Sequence, residues 1–330
     1  MKRLLVTLFM VTVAVSVFAL KKDPAYRDAR RSGALAKIQI RVVDDLGQNV
    51  PNADVNVFMG MNFRPQGYYL KGITNTNGIF VAEGKTCGDE VVIDVNKQGH
   101  YSSSKKLCFA EMGAEHDVEN GKWLPFGKNE DIPLRRIVNP INLVAFDKLI
   151  DVAHTNVWLG FDMEKQDFTR PIGKGDKADF EIKAEWDGRP AWESKYCSAE
   201  IRFTDKQTGG HYVENVFESS FPYIYAAPLD STYAESIIRV VDRNGDPHTT
   251  KIPFAKRASL VTRTRTIVDE NGKIKAANYG CIRRLEVGPS RRGVALLRMS
   301  YVFNPTPNDP NLEYDLKNNL APRGDGSWYP

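Results

Sequence analysis

The chain has 330 residues, 42% of them hydrophobic and 26% charged, with a formal net charge of +4. That length and balance accommodate about two globular domains, each able to bury a core. So small a net charge singles out no class of partner, and without a recognisable binding motif in what reads as an exported chain a nucleic-acid partner is not expected.

Residues 1–19 form a secretory signal by pattern. Met1-Lys2-Arg3 is a basic start, Leu4 to Phe18 is apolar apart from Thr7, Thr12 and Ser16, and Val17-Phe18-Ala19 places small or compact residues at −3 and −1. Cleavage is expected after Ala19, with an uncleaved membrane anchor as the alternative; the apolar run is shorter than the roughly 20 residues that span a bilayer. No later segment qualifies as a membrane-spanning helix, so the expected location is secreted, periplasmic or cell surface.

Residues 20–36 are polar and basic, contain Pro24 and show no sustained periodicity, and are expected as a linker or arm. Period-two alternation then begins. Ile38, Ile40 and Val42 alternate with Gln39, Arg41 and Val43, and Ala53, Val55 and Val57 with Asp54, Asn56 and Phe58. Asp44 to Gln48 is a turn between them. Further strands are predicted over Tyr68–Thr74, from Ile79, around Val91, Ile93 and Val95, and over Ile132–Ile137. Between Thr74 and Ile79, Asn77-Gly78 is a hairpin-turn signal, because both residue types tolerate positive φ.

The succession Val42-Val43-Asp44, Gly47, Val50-Pro51-Asn52-Ala53-Asp54-Val55 and Gly72-Ile73-Thr74-Asn75-Thr76-Asn77-Gly78-Ile79-Phe80 resembles the carboxypeptidase regulatory-like module. Val95 to Tyr101 is similar to the strand end of that family, with His100 inserted before the tyrosine, and Asn75 stands where the family more often has Asp. The resemblance covers residues 37–137. It implies a transthyretin-like (prealbumin-like) β-sandwich that accompanies many kinds of secreted protein and is seldom catalytic.

Residues 138–142 form an extended connector, since Pro140 keeps Asn139 out of helical geometry. From 143 to 320 alternation resumes around Val157–Phe161, Phe180–Ala184, Ile201–Phe203, Ile237–Val241 and Gly293–Phe303. A hairpin is predicted from Leu260 to Val287 around Asp269-Glu270-Asn271-Gly272. A short helix over Phe146–Val152 fits the pattern as well. This region predicts a second antiparallel β-sandwich or jelly-roll-like domain, making the protein all-β. Asn304 to Asp315 is too rich in proline for a central strand and is expected as an extended segment lying across the sandwich. Gly160–Phe180 and Tyr301–Leu320 are similar to stretches of uncharacterised exported bacterial proteins. Residues 321–330 are a tail whose Arg323-Gly324-Asp325 matches the adhesive tripeptide, a motif short enough to arise by chance.

Four cysteines in an exported chain suggest two disulfides. Pairing within each domain gives Cys87–Cys108 and Cys197–Cys281, against the alternative of small buried hydrophobes. The histidines, His100, His116, His154, His211 and His248, form neither H-x-H nor H-E-x-x-H, and no G-x-S-x-G elbow occurs. Gly173-Lys174-Gly175 lacks the rest of a phosphate loop. Asp242 to Asp246 offers oxygen ligands in the style of a calcium loop without its distal glutamate, so a turn is expected. No metal or cofactor is expected.

Two aromatic groups stand out. Trp186, Trp192 and Tyr196 form one, and Phe221, Tyr223, Tyr225 and Tyr233 the other. Exposed, such rings stack on sugars or anchor proteins; buried, they fill a sandwich core or cover its open end. From Lys256 to Arg298 there are eleven Lys or Arg against three acids, with Arg263, Arg265, Arg283, Arg284, Arg291 and Arg292 as a candidate basic patch or a solvated face. The expected function is a non-enzymatic binding or structural protein with a glycan or extracellular protein as partner. The alternatives are a glycan-active hydrolase using second-domain carboxylates, such as Asp162 with Asp167 or Glu185 with Glu193, and a subunit of an extracellular assembly.

Overall fold

The structure, a computed structural model, describes residues 24–61, 64–87, 90–109, 117–152, 154–189, 196–214, 218–242, 258–289 and 295–320. The expected signal peptide and C-terminal tail lie outside the described residues. Among those described, no helix is long and apolar enough to cross a membrane.

The segment expected as a basic linker holds a helix, α1 (Pro24–Ser32). Pro24 occupies the first turn, where its missing N–H costs nothing. Gly33 ends the helix at φ 83° and donates its N–H to the Ala29 carbonyl at 2.9 Å. Only Tyr26 and Ala29 are buried, too few to register as periodicity. The edge of the Tyr26 ring against Trp123, at 5.9 Å and 89°, is a tertiary contact that no local pattern could show.

The first sandwich comprises β1 (Ala34–Val43), β2 (Asp54–Met61), β3 (Arg64–Ile73), β4 (Ile79–Thr86), β5 (Glu90–Asn96), β6 (Ser103–Cys108), β7 (Val118–Glu119), β8 (Lys122–Trp123) and β9 (Lys128–Pro133). One sheet runs β4-β1-β8-β7, with β9 lying parallel along β1; the other runs β3-β2-β5-β6. The expected alternation holds. Ile38, Ile40 and Val42 from one sheet meet Val55, Val57, Ile93 and Val95 from the other in a single core. Trp123 is fully buried there, and its Nε1 donates to the Thr86 carbonyl at 2.9 Å.

The Asn-Gly turn forms, with a different consequence from the one expected. Asn75 Oδ1 accepts the N–H groups of Asn77 and Ile79, and Gly78 adopts φ 71°, but the flanking strands do not pair with each other. β3 pairs with β2 and β4 pairs with β1. The turn carries the chain from one sheet to the other rather than closing a hairpin.

The second sandwich comprises β10 (Ile141–Val152), β11 (Leu159–Asp162), β12 (Asp167–Phe168), β13 (Phe180–Trp186), β14 (Tyr196–Arg202), β15 (Gly209–Glu214), β16 (Ser236–Asp242), β17 (Ala258–Val268), β18 (Ile274–Pro289), β19 (Ala295–Asn304) and β20 (Tyr314–Asn319). One sheet runs β15-β17-β18-β19-β10-β20 and the other β12-β11-β13-β14-β16. Between them lie Phe146, Phe161, Phe180, Ile201, Leu285, Met299 and Tyr301. The hairpin of β17 and β18 forms around Asp269–Gly272 as expected.

Phe146–Val152 is not helical. It belongs to β10, antiparallel to β19 from Val144↔Phe303 to Val152↔Ala295. Val144 and Phe146 face the sandwich core while Leu143 and Ala145 face the opposite side, where a further layer buries them. A strand covered on both faces reads as an unbroken apolar run, which alternation cannot identify.

That further layer consists of extended chain. Tyr223, Ala227 and Tyr233 pack with Leu312 and Tyr314 over the outer face of the larger sheet. Leu312 donates to the Tyr225 carbonyl, and Ala227 to that of Pro310, each at 2.8 Å. The proline-rich stretch therefore lies ordered across the sandwich, as its composition suggests.

Candidate functional site: a polar cleft where the two sandwiches meet

The junction is built around Arg135, which is buried. Its guanidinium carbon lies 4.7 Å from the centroid of the Phe221 ring and 4.2 Å from that of Tyr225. It donates to the Phe221 carbonyl at 2.7 Å and also to the Tyr223 carbonyl, and its Nε faces Asp45 at 3.3 Å. The Tyr225 hydroxyl returns to the first sandwich, its one hydrogen shared between the Arg136 carbonyl at 2.6 Å and Asp45 at 3.0 Å. Close by, Tyr101 donates to Glu313 at 2.9 Å, and the same buried carboxylate accepts the N–H groups of Val138 and Asn139. Burial, followed by the bond to Glu313, raises the Tyr101 phenol well above its ordinary value.

Next to this clamp, residues 218–220 of the second sandwich lie along the edge strand β6. Ser104 donates to the Glu218 carbonyl at 2.7 Å and Ser220 to the Ser102 carbonyl at 2.8 Å, with Ser103 bridged to Ser219. The second sandwich thus covers an edge that would otherwise be open. The contact walls off a cleft of about 430 Å³ lined by Asn56, Asp94, Asn96, Ser104, Glu218 and Ser220 among others. It adjoins a second cleft of about 400 Å³ that shares Asn56 and Asn96 and adds Asp54, Lys71 and Ile73.

Cross-strand register orders these side chains on the outer face of the β3-β2-β5-β6 sheet. One row reads Lys71, Asn56, Asp94, Ser104; the next reads Ile73, Asp54, Asn96; on the other side Tyr69 stands opposite Phe58. Ser104 Oγ donates to Asp94 Oδ1 at 2.7 Å. The Asn56 amide oxygen is buried and has no hydrogen-bond partner. The Tyr69 ring is 54% exposed, supported by Phe58 at 5.1 Å, with Lys71 Nζ 5.8 Å from its centroid. The face therefore combines one open aromatic surface with amides, hydroxyls and carboxylates.

The residues expected to bind lie elsewhere. Tyr223 is buried in the covering layer, where burial pushes its phenol up to about 12, and Tyr225 is spent on the Arg135 clamp. Trp186 is half-buried against the second core. Tyr196 lies in β14, its side chain outside the described residues, as is Trp192. Tyr223 and Tyr225 form no exposed platform; they cover a sheet that would otherwise expose Val261, Cys281 and Val302.

The basic patch does not assemble either. Arg263 is buried, with its guanidinium 4.3 Å from the Tyr233 ring centroid and its Nε donating to the Gln207 carbonyl. Arg265, two residues on, would share that face in a regular strand. A register shift follows Thr264, and Arg265 takes φ 53°, which sends its side chain toward Phe303. There it donates to Asp162, Glu164 and Asp179. Burial would lower the Arg265 value; the bonds and charges of Asp179, Glu164 and Asp162 outweigh it and raise it. Arg283 and Arg284 are half-buried on β18. Arg291 and Arg292 are outside the described residues.

The candidate carboxylate pairs are similarly committed. Asp162 accepts backbone N–H groups from Glu164, Lys165, Asp176 and Lys177 as well as Arg265, leaving its oxygens no capacity for a substrate proton. Asp167 accepts from Phe168 and Lys174. Glu185 is paired with Lys183 at 3.2 Å, and Glu193 lies outside the described residues.

No disulfide joins the four cysteines. Cys197 points into the sandwich core, whereas Cys281 points through the opposite face of its sheet into the covering layer. Cys87 is buried at the end of β4 and Cys108 is exposed on β6. Among the described residues, no group of three or more His, Cys, Asp or Glu is placed to hold a metal ion.

No protein-family model and no curated protein matches the chain. Among solved structures it is similar to 3-chlorocatechol 1,2-dioxygenase from Rhodococcus opacus, at 12% identity and TM-score 0.26 over 32% of this chain and 62% of that one. Chlorocatechol 1,2-dioxygenase from Pseudomonas putida gives 12% and 0.25 over 32% and 61%. Catechol 1,2-dioxygenase from Acinetobacter gives 13% and 0.24 over 33% and 54%. The chain thus spans less than two thirds of these proteins, and at this level of similarity they lend it neither fold nor activity.

Tyr69, Asn56, Asp94 and Ser104 were not singled out by motif. Alternation did place Asp54 and Asn56 opposite the core-facing valines of β2. What alternation lacks is the neighbour across the sheet and the wall supplied by residues 218–220.

Proposed function

We propose that the chain is an exported, non-enzymatic binding protein whose ligand occupies the cleft at the junction of its two sandwiches. The observation that carries this reading is the pair of adjoining clefts on the outer face of strands β2 and β5, which share Asn56 and Asn96, one of them walled by Glu218 to Ser220 of the second sandwich. Export rests on the basic and apolar pattern of residues 1–19. The first sandwich is read as a carboxypeptidase regulatory-like module on the residues from Val42 to Val55 and Gly72 to Phe80.

The test is equilibrium binding of the mature chain to purified cell-surface polysaccharides and proteins, with the polymers assayed for cleavage afterwards. The expected result is saturable binding without turnover, abolished by Ser104→Arg, which fills the cleft from an exposed position. Turnover of the bound polymer, or binding that Ser104→Arg leaves intact, overturns the reading.

A further inference from the structure

We infer that the ligand of this cleft is a neutral oligosaccharide laid across strands β3 to β6, with one sugar ring against Tyr69; this rests on the binding role proposed above. Four features of the face fit that chemistry together.

The first is the mixture of donors and acceptors. A sugar hydroxyl both donates and accepts, and the row Lys71, Asn56, Asp94, Ser104 offers an amine, an amide, a carboxylate and a hydroxyl in succession. The second is the ring of Tyr69, 54% exposed, which leans against Phe58 at 5.1 Å and 49° and has Lys71 Nζ 5.8 Å from its centroid. An aromatic face held in place by a neighbour offers stacking area at little entropic cost.

The third is charge. Asp54, Asp94 and Glu218 line the two clefts, while Lys71 is the one cation among the described lining residues of both. An acidic polymer would meet like charge there, whereas a neutral chain would not. The fourth is extent. The three strand spacings from β3 to β6 cover about 14 Å at 4.7–4.9 Å each, enough for a chain of rings rather than a single one.

The experiment is isothermal titration of the full mature chain with cello- and manno-oligosaccharides from disaccharide to hexasaccharide, and with polygalacturonate as an acidic comparison. The expected result is binding of one neutral series, tightening with chain length, and none of polygalacturonate. Tyr69→Ala and Asn56→Ala should each weaken binding at least about tenfold. Both positions lie on the outer face, and an unchanged denaturation midpoint shows that each variant is folded. Failure of every neutral chain to bind, or an affinity indifferent to Tyr69→Ala, overturns the inference. If neutral chains fail while another surface polymer binds in a manner sensitive to Ser104→Arg, the sugar class is wrong and the cleft's role stands. If that also fails, both fall.

Discussion

The Arg135 guanidinium stacks on the ring of Tyr225, 4.2 Å from its centroid, and this contact joins the two sandwiches. The stacking is reinforced because the same group donates to the carbonyls of Phe221 and Tyr223. Arg135→Ala strands both carbonyls in a buried junction, and the expected loss is about 3–5 kcal/mol. Arg135→Lys should recover only part of it, since an ammonium keeps the charge but not the planar fork. Urea denaturation followed by probes in each sandwich measures both effects. In Arg135→Ala the two transitions should separate; coincident transitions at the wild-type midpoint would show that the clamp does not couple the halves.

Gly78 and Gly272 close turns of the same chemistry, in which Asn75 and Asp269 each accept two backbone N–H groups. Both glycines have positive φ, at 71° and 77°. A Cβ on Gly78 would lie 2.8 Å from the Val42 carbonyl oxygen, whereas one on Gly272 would meet nothing within 4 Å. Gly272→Ala should therefore cost about 1–2 kcal/mol from backbone strain alone. Gly78→Ala should cost at least about 1 kcal/mol more, because a backbone atom must also shift. Equal losses in thermal or chemical denaturation would remove the steric part of the explanation.

How much was legible follows from such pairs. The turn residues at Asn75–Gly78 were readable because local chemistry dictates them, and so were the core positions Ile38, Val55 and Ile93, because period two places them. The sheet to which each strand belongs was not, since the turn at Gly78 looks the same whether it closes a hairpin or changes sheet. Tyr223 and Tyr225 looked like binding residues because sequence records an aromatic ring but not the sheet it covers. Arg265 looked like part of a patch because a bulge that reverses one side chain leaves no mark on composition.

Asp162 gives a pH signature. Burial would raise its carboxyl, but the N–H groups of Lys165, Asp176 and Lys177, with the charge of Arg265, hold it below the ordinary 3.8. A carboxylate whose folded value is lower than its unfolded one adds stability above the unfolded value, and that stability is lost as pH falls through the folded value. Asp162→Asn, which turns an amide donor toward backbone N–H groups, should destabilise by about 2–4 kcal/mol near neutrality. The gap from wild type should shrink as pH falls below 3.8. A gap constant from pH 7 to strongly acidic solution would contradict the assignment.

Thiol counting separates the arrangement seen here from the disulfides expected of an exported chain. Cys108 is exposed, and Cys87, Cys197 and Cys281 are buried, with burial pushing the Cys281 thiol up to about 12. A thiol reagent added without reductant should label one cysteine rapidly in the folded protein and four after denaturation. No labelling after denaturation would mean that two cross-links form and that strands β6 and β18 are placed differently.

The most direct test of the proposed cleft is hydrogen exchange on the full chain with and without an excess of neutral hexasaccharide. Exchange should slow on both sides of the junction at once: around Asn56, Lys71, Asp94 and Ser104 of the first sandwich and at Glu218 to Ser220 of the second. Protection confined to one sandwich, or lying on the outer face of the β12-β11-β13-β14-β16 sheet, would contradict it.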